Sequence, residues 1–208
     1  MNRIILLGGG GHAKVLIDLI KTAGHYEIAG ILDKQLKIGS EVAGIPVLGN
    51  DDFLPELYSK GIKNACIAVG SIKDNSKRRE LFERVKQIGF NIPYLVHPSA
   101  IVSGNSRISE GVQIMPGAII QTDSLIGRNT IINTGVIIEH DCKIGKHIHV
   151  CPGAVVSGGS IIGDNAFIGA GATVINGIKI GSDAVIAAGA VVINNVPDGA
   201  KVIGIPAK

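Results

Sequence analysis

The run Glu139-His140-Asp141-Cys142, followed by His147 and His149, puts three imidazoles within ten residues of a stretch otherwise built for packing. An imidazole titrates near neutrality, so it suits a base that takes a proton while a nucleophile attacks. A carboxylate on its other ring nitrogen would fix the tautomer and stabilise the imidazolium. Glu139 and Asp141 both flank His140, but neighbours on a strand point to opposite sides. Asp141 can therefore hold His140 only where the chain turns. A metal site is the second chemistry these residues suggest. Zinc needs converging ligands, whereas the three imidazoles are spaced 7 and 2 apart and a third ligand would have to come from another chain, so no metal is expected. Solvated surface histidines are the plain alternative; the two carboxylates beside His140 favour function there.

The element that must position these residues is a repeat. From Val96 to Val192 every sixth residue is Val or Ile, and four places after each comes a second series, mostly small: Ala100, Ser106, Ala118, Ser124, Thr130, Cys142, Ala154 and onward. Neither a 3.6-residue nor a simple 2-residue period keeps both in phase, and six-residue self-similarity is the mark of a parallel β-helix. Gly127, Gly145, Gly163, Gly169 and Gly181 follow the aliphatic position, where a turn leaves little room for a Cβ. Ile138 and Cys142 point inward in this register, so His140 points outward or sits at a corner. An outward polar group reaches a ligand only if another surface covers it, which implies a cleft between subunits.

Ahead of the repeat, Ile4 to Leu7 is an apolar run ending in four glycines, and His12 to Thr22 carries apolar residues at helical spacing. Ile28 to Leu32 is a second run, ending at Asp33. Gly8, Gly10 and Ala13 match the spacing G-x-G-x-x-A, with Asp33 about where an acid would meet a ribose. Further strands are expected at Pro46 to Leu48 and Ala65 to Val69, with helices near Asp52 to Ser59 and Asn75 to Gln87. Gly70 and Ser71 would share the carboxyl end of the sheet with the glycine loop. This is one mononucleotide-sized half, which favours a nucleotide or nucleotide-sugar over NAD. The boundary between an α/β Rossmann-like domain (1–95) and the β-helix domain (96–208) is placed near residue 95.

Composition narrows the classes. Aromatics are 3% against 46% hydrophobic residues, so the core must be aliphatic, as a narrow prism requires. A net charge of +3 with scattered basic residues makes nucleic acid an unexpected partner. Three cysteines without a CxxC pair suit a reducing compartment. The opening apolar run of four residues is too short for a signal or membrane segment, so a cytoplasmic protein without membrane contact is expected.

The glycine-rich stretch Gly8 to Lys14, His97-Pro98-Ser99-Ala100, Ile138-Glu139-His140-Asp141-Cys142 and the closing Gly204-Ile205-Pro206-Ala207-Lys208 resemble bacterial nucleotide-amino-sugar N-acetyltransferases of the hexapeptide-repeat class. Those enzymes act on sugars such as perosamine and bacillosamine precursors, and sialic acid O-acetyltransferases share their plan. The resemblance implies a left-handed β-helix of three hexapeptides per coil, acetyl-CoA as co-substrate, and a homotrimer with active sites between subunits. It assigns His140 as general base, with Asp141 raising its basicity. His149 would contact the thioester region, and Gly158, Ala170 and Ala188 would line the coenzyme slot. Gly10, Gly11, His12, Asp33 and Gly70 would serve the nucleotide-sugar, and Asn133 would face the acceptor sugar. The implied reaction moves an acetyl group to the 4-amino group of a nucleotide-linked amino-dideoxy sugar in surface-polysaccharide synthesis. O-acetylation of a sialic acid or similar sugar, and a non-catalytic nucleotide-sugar-binding trimer, stand as alternatives.

Overall fold

Ile4, Ile5, Leu6 and Leu7 are all fully buried, which requires packing on both faces of the strand that carries them and marks it as central. That strand is β1 (Asn2–Leu7). The structure is a computed structural model that describes residues 2–71 and 75–208. After β1 come helix α1 (Gly11–Ala23), β2 (Tyr26–Leu32), β3 (Glu41–Val42), β4 (Ile45–Gly49), α2 (Leu54–Ser59), β5 (Asn64–Ile67) and α3 (Ser76–Ile88). The sheet order is β3-β4-β2-β1-β5, parallel except for the β3–β4 hairpin. Successive strands leave β1 in opposite directions, β2 on one side and β5 on the other. That is the topological switch point, where open α/β sheets form a ligand crevice beyond the carboxyl ends of their strands.

Ile5 and Leu7 alternate with Ile4 and Leu6, and pack with Leu54, Leu57, Phe82, Val85 and Phe90 from the segments after β4. Arg78 of α3 is buried beside β5, its Nη1 donating to the carbonyls of Ile67 (2.6 Å) and Val69 (3.0 Å). Burial holds its pKa down at about 10.

The second unit contains Val96–Lys208. It is a three-sided parallel β-helix in which each short strand pairs with its counterparts on the neighbouring coils, as Ile119–Ile120 pairs with Ile137–Ile138 and then Val155–Val156. Its first face carries Gln113, Ile131 and His149, its second Ile119, Ile137 and Val155, and its third Leu125, Lys143 and Ile161. The inward series forms one aliphatic core with the small series filling the corners. Polar members of the small series are satisfied inside: Ser160 Oγ donates to the Ile175 carbonyl (3.1 Å) and Thr130 Oγ1 to the Gly145 carbonyl (3.0 Å).

A third six-residue series sets the corners. Asp123, Asn129, Asp141, His147, Asn165 and Asp183 have φ of 56–61°, and Gly111, Gly117, Gly135, Gly153, Gly159, Gly171, Gly177 and Gly189 share the left-handed conformation. Gly, Asn and Asp are the residues that take it most cheaply. The glycines that follow the aliphatic position meet a different constraint: a Cβ on Gly163 would lie 2.5 Å from the Ser182 nitrogen of the next coil. Gly163→Ala is therefore expected to cost about 1–3 kcal/mol through overpacking, read as a lowered midpoint in denaturant. Gly104→Ala, where a Cβ meets nothing within 4 Å, should stay within about 0.5 kcal/mol of the parent.

Candidate active site

The second face leads, after Ile137–Ile138, into a corner containing Glu139-His140-Asp141-Cys142. Asp141 there is left-handed at φ 59°, and this turn brings its carboxylate round to its neighbour. His140 Nδ1–H donates to Asp141 Oδ2 at 2.8 Å, leaving Nε2 as the acceptor nitrogen. The His140 side chain is 59% exposed, and its pKa is raised, first by the Asp141 hydrogen bond and then by the charges of Asp141 and Glu139.

Stacking of coil on coil places Gly158 against the ring. A Cβ on Gly158 would come within 2.7 Å of both Cε1 and Nε2 of His140, so any larger residue would displace the imidazole or block the free nitrogen. From the coil on the other side, Ser124 braces the turn. Its hydroxyl donates to the Glu139 carbonyl (2.7 Å) and accepts from the Cys142 N–H (3.1 Å), clamping the two ends of the corner that carries His140 and Asp141. The small-residue pattern marks Ser124 as interior and says nothing of this role; its place exactly one coil before Cys142 is the signal that finds it. Cys142 is itself buried, and burial raises its pKa. Cys151 is buried too, its thiol pushed up to about 12.

His149 does not join His140. It lies on the first face, buried at 7% exposure, edge-on to Phe167 at 5.6 Å between centroids, with Nε2 3.0 Å from Asn133 Nδ2. Asn133 Oδ1 accepts from the Thr134 N–H at 2.8 Å. Ala170 and Ala188 lie at the corner between the first and second faces, stacked one coil apart, with the Gly189 N–H donating to the Ala170 carbonyl (2.8 Å). The second face thus has His140, Asp141 and Gly158 along one edge, and Asn133, Ala170 and Ala188 along the other. His147 pairs with Asn129 (2.9 Å) at the third corner. Among the described residues, no group of three or more His, Cys, Asp or Glu is placed to hold a metal ion.

In the first unit, the glycine turn leads from β1 into α1. Gly8 takes φ 108°, and a Cβ there would lie 2.7 Å from Val69 Cγ2, so only glycine fits. Gly10 is the N-cap without a side-chain cap, Gly10 and Gly11 face open space, and Gly70 packs on His12. With no side chain at the cap, the positive end of the α1 dipole faces the glycine turn, an arrangement that suits an anion. Asp33 is held differently from a free ribose acceptor. Its Oδ2 accepts from Gly9 N–H (2.8 Å), and its Oδ1 from Gln35 (2.8 Å) and Leu36 (3.1 Å). Desolvation works against the ionised form, but these three bonds and the Lys77 charge outweigh it, and the pKa is lowered. A pocket of about 140 Å³ opens beside it, lined among others by Gly8, Asp33, Lys34, Asp51, Val69 and Lys77.

Comparison with known proteins gives matches along the chain. The PglD N-terminal domain model covers residues 3–85, the six-repeat bacterial transferase hexapeptide model 105–139 and 123–158, and the hexapeptide repeat of succinyl-transferase 159–193. A mutant perosamine N-acetyltransferase from Caulobacter crescentus, solved with CoA and GDP-perosamine, is 40% identical with TM-score 0.94, over 100% of this chain and 96% of that one. The acetyltransferase domain of PglB from Neisseria gonorrhoeae FA1090 is 35% identical with TM-score 0.94, over 100% and 99%. UDP-N-acetylbacillosamine N-acetyltransferase from Bacillus subtilis (strain 168) is 38% identical over 121 residues, which are 55% of this chain and 52% of that relative. Among the described residues no helix is long and apolar enough to cross a membrane.

Because the Asp141 hydrogen bond is the first cause of the raised His140 pKa, Asp141→Asn should lower it while keeping a residue that tolerates the left-handed turn. Proton NMR titration of the His140 ring checks this; an unchanged midpoint would contradict the assignment.

Proposed function

This chain belongs to the hexapeptide-repeat sugar N-acetyltransferases, an α/β domain followed by a left-handed β-helix, and from that premise we propose that it moves the acetyl group of acetyl-CoA to the amino group of a nucleotide-linked amino-dideoxy sugar. The observation that carries the reading is the corner itself: Nδ1 of His140 is committed to Asp141 at 2.8 Å, and the free Nε2 looks out over Gly158, where no Cβ stands in the way. The sugar nitrogen attacks the thioester carbonyl carbon. Its proton passes to Nε2, the C–S bond breaks, and the sulfur leaves as the thiol of CoA after taking the proton back from the imidazolium. Asp141 stabilises that imidazolium. The Gly158 N–H, which donates to no group among the described residues, is the backbone donor we assign to the oxyanion. Neither Cys142 nor Cys151 serves as nucleophile: both are buried with raised pKa values, whereas attack needs an exposed thiolate.

The second face supports assembly as a homotrimer. Its outward residues are Ile101, Ile119, Ile137, Val155, Thr173 and Val191, with Ile101 at 64% exposure, whereas the third face shows Arg107, Lys143 and Lys179 between Leu125 and Ile161. Covering an aliphatic stripe with copies of itself removes it from water. A cyclic assembly through this face would set the His140 edge of one copy against the Ala170–Ala188 edge of the next. In this reading His149, Gly158, Ala170 and Ala188 serve the coenzyme and Asn133 the acceptor side, while Gly10, Gly11, His12, Asp33 and Gly70 serve the nucleotide. Names of the relatives favour an amine over a hydroxyl acceptor, and a cytoplasmic place fits the acetyl-CoA requirement.

The test is release of free CoA from acetyl-CoA with GDP-, UDP- and dTDP-linked 4-amino-dideoxy sugars, beside free sialic acid. Turnover on an amino sugar is expected, and His140→Ala should lower it about 10²–10⁴-fold while acetyl-CoA binding persists. Unchanged turnover in that variant would remove His140 from the mechanism. Cys142→Ala and Cys151→Ala should leave turnover in place, and its loss with the fold intact would bring thiol catalysis back.

A further inference from the structure

The pocket at the carboxyl end of the first unit carries two carboxylates, Asp33 and Asp51, beside Lys34 and Lys77. Phosphates would be served by the ammonium groups and the α1 N-terminus alone. Asp33 is accounted for, since both of its oxygens brace backbone N–H groups. Asp51 is not. It is 5% exposed, its Oδ2 lies 3.3 Å from Lys34 Nζ, and its Oδ1 has no partner among the described residues. The backbone holds it in place. Asn50 Oδ1 caps the short turn by accepting from Asp52 N–H (2.9 Å), and Arg84 Nη2 donates to the Asp51 carbonyl (3.3 Å).

We propose that Asp51 reads the base of the bound nucleotide and selects guanine. The proposal rests on the nucleotide-binding role given to this unit above. An ionised carboxylate accepts hydrogen bonds and donates none. Guanine presents N1–H and the N2 amino group side by side, two donors that match its two oxygens. Uracil and thymine present a single N3–H between two carbonyl oxygens, which a carboxylate repels. Adenine places an acceptor, N1, beside its amino group, so one oxygen would face a lone pair. Each Asp51 oxygen has more than one lone pair, so the Lys34 contact on Oδ2 persists while the base binds. A buried acceptor left without its donor is costly, and this makes the discrimination steep.

The test is titration calorimetry on the intact wild-type chain without acetyl-CoA, using GDP, IDP, ADP, UDP and dTDP. GDP should bind tightest. IDP, which lacks only the N2 amino group, should bind about tenfold more weakly, and UDP and dTDP more weakly still. Asp51→Asn, with its melting temperature measured as a fold control, should weaken GDP about tenfold or more and narrow its advantage over UDP. Tight binding with equal affinity for GDP, IDP and UDP would overturn the base assignment and leave the nucleotide reading standing. Failure of every nucleoside diphosphate to bind would overturn both. The GDP–IDP comparison needs no variant, so it holds even if Asp51→Asn does not fold.

Discussion

Hydrogen bonding from each coil to the next, in a register that never slips, is the constraint on which the second unit depends. Each short strand donates to and accepts from the coils on either side, as when Glu139 N–H bonds to the Val156 carbonyl and Gln121 N–H to the Ile138 carbonyl. A rigid ladder of this kind turns sequence distance into spatial position. Residues one full coil apart must stack, so Ser124 and Cys142 meet, and Gly158 meets His140, without long loops. Orientation of this sort is what a transfer between two bound substrates needs, since placing the reacting groups can be worth about 7–11 kcal/mol in favourable cases.

The same ladder explains how a polar site survives in an aliphatic prism. Interior positions are Val, Ile and small residues, and the few hydroxyls among them spend their hydrogen bonds on corner backbone, where an unpaired buried group would be costly. Charged groups are kept to the corners and to outward strand positions such as Arg107, Lys143 and Lys179. At a corner the chain turns through a left-handed residue, and Asp141 serves both ends: it takes the backbone conformation readily and orients the imidazole beside it. In the first unit the equivalent economy falls to Asp33, whose carboxylate ties the glycine turn to the end of β2.

Much of the fold was legible, because a strict period of six leaves one architecture and because strand, glycine turn and helix are punctuated clearly at positions 4 to 22. The β3–β4 hairpin was not. Its turn is Ala43-Gly44, both with positive φ, and an alanine there lacks the Asn-Gly or Asp-Gly signal by which such turns are read. At the candidate site, register placed His140 either outward on a face or at a corner, and strand alternation required a turn if Asp141 was to hold it. The partners did not follow. Asn133 binds His149, Ser124 clamps the corner, and backbone N–H groups occupy Asp33. Each involves contacts between segments distant in sequence, which local pattern does not report. The series of Gly, Asp and Asn at every sixth position, broken by His147, carried the corner geometry and is visible in the sequence once the left-handed turns are known.

Central to the account is a catalytic centre shared between neighbouring prisms, with His140 from one and the Ala170–Ala188 edge from the next. Subunit mixing tests it most directly. Ala188→Trp would obstruct the coenzyme edge, and His140→Ala removes the base, so each protein alone should be inactive. Co-expressed with different affinity tags and purified as mixed assemblies, they should recover about a third of the parent CoA release, since each mixed cyclic trimer has one interface in three that pairs an intact His140 with an intact slot. Mixed assemblies that stay inactive would contradict the account, since a site built within one chain can never be restored by mixing.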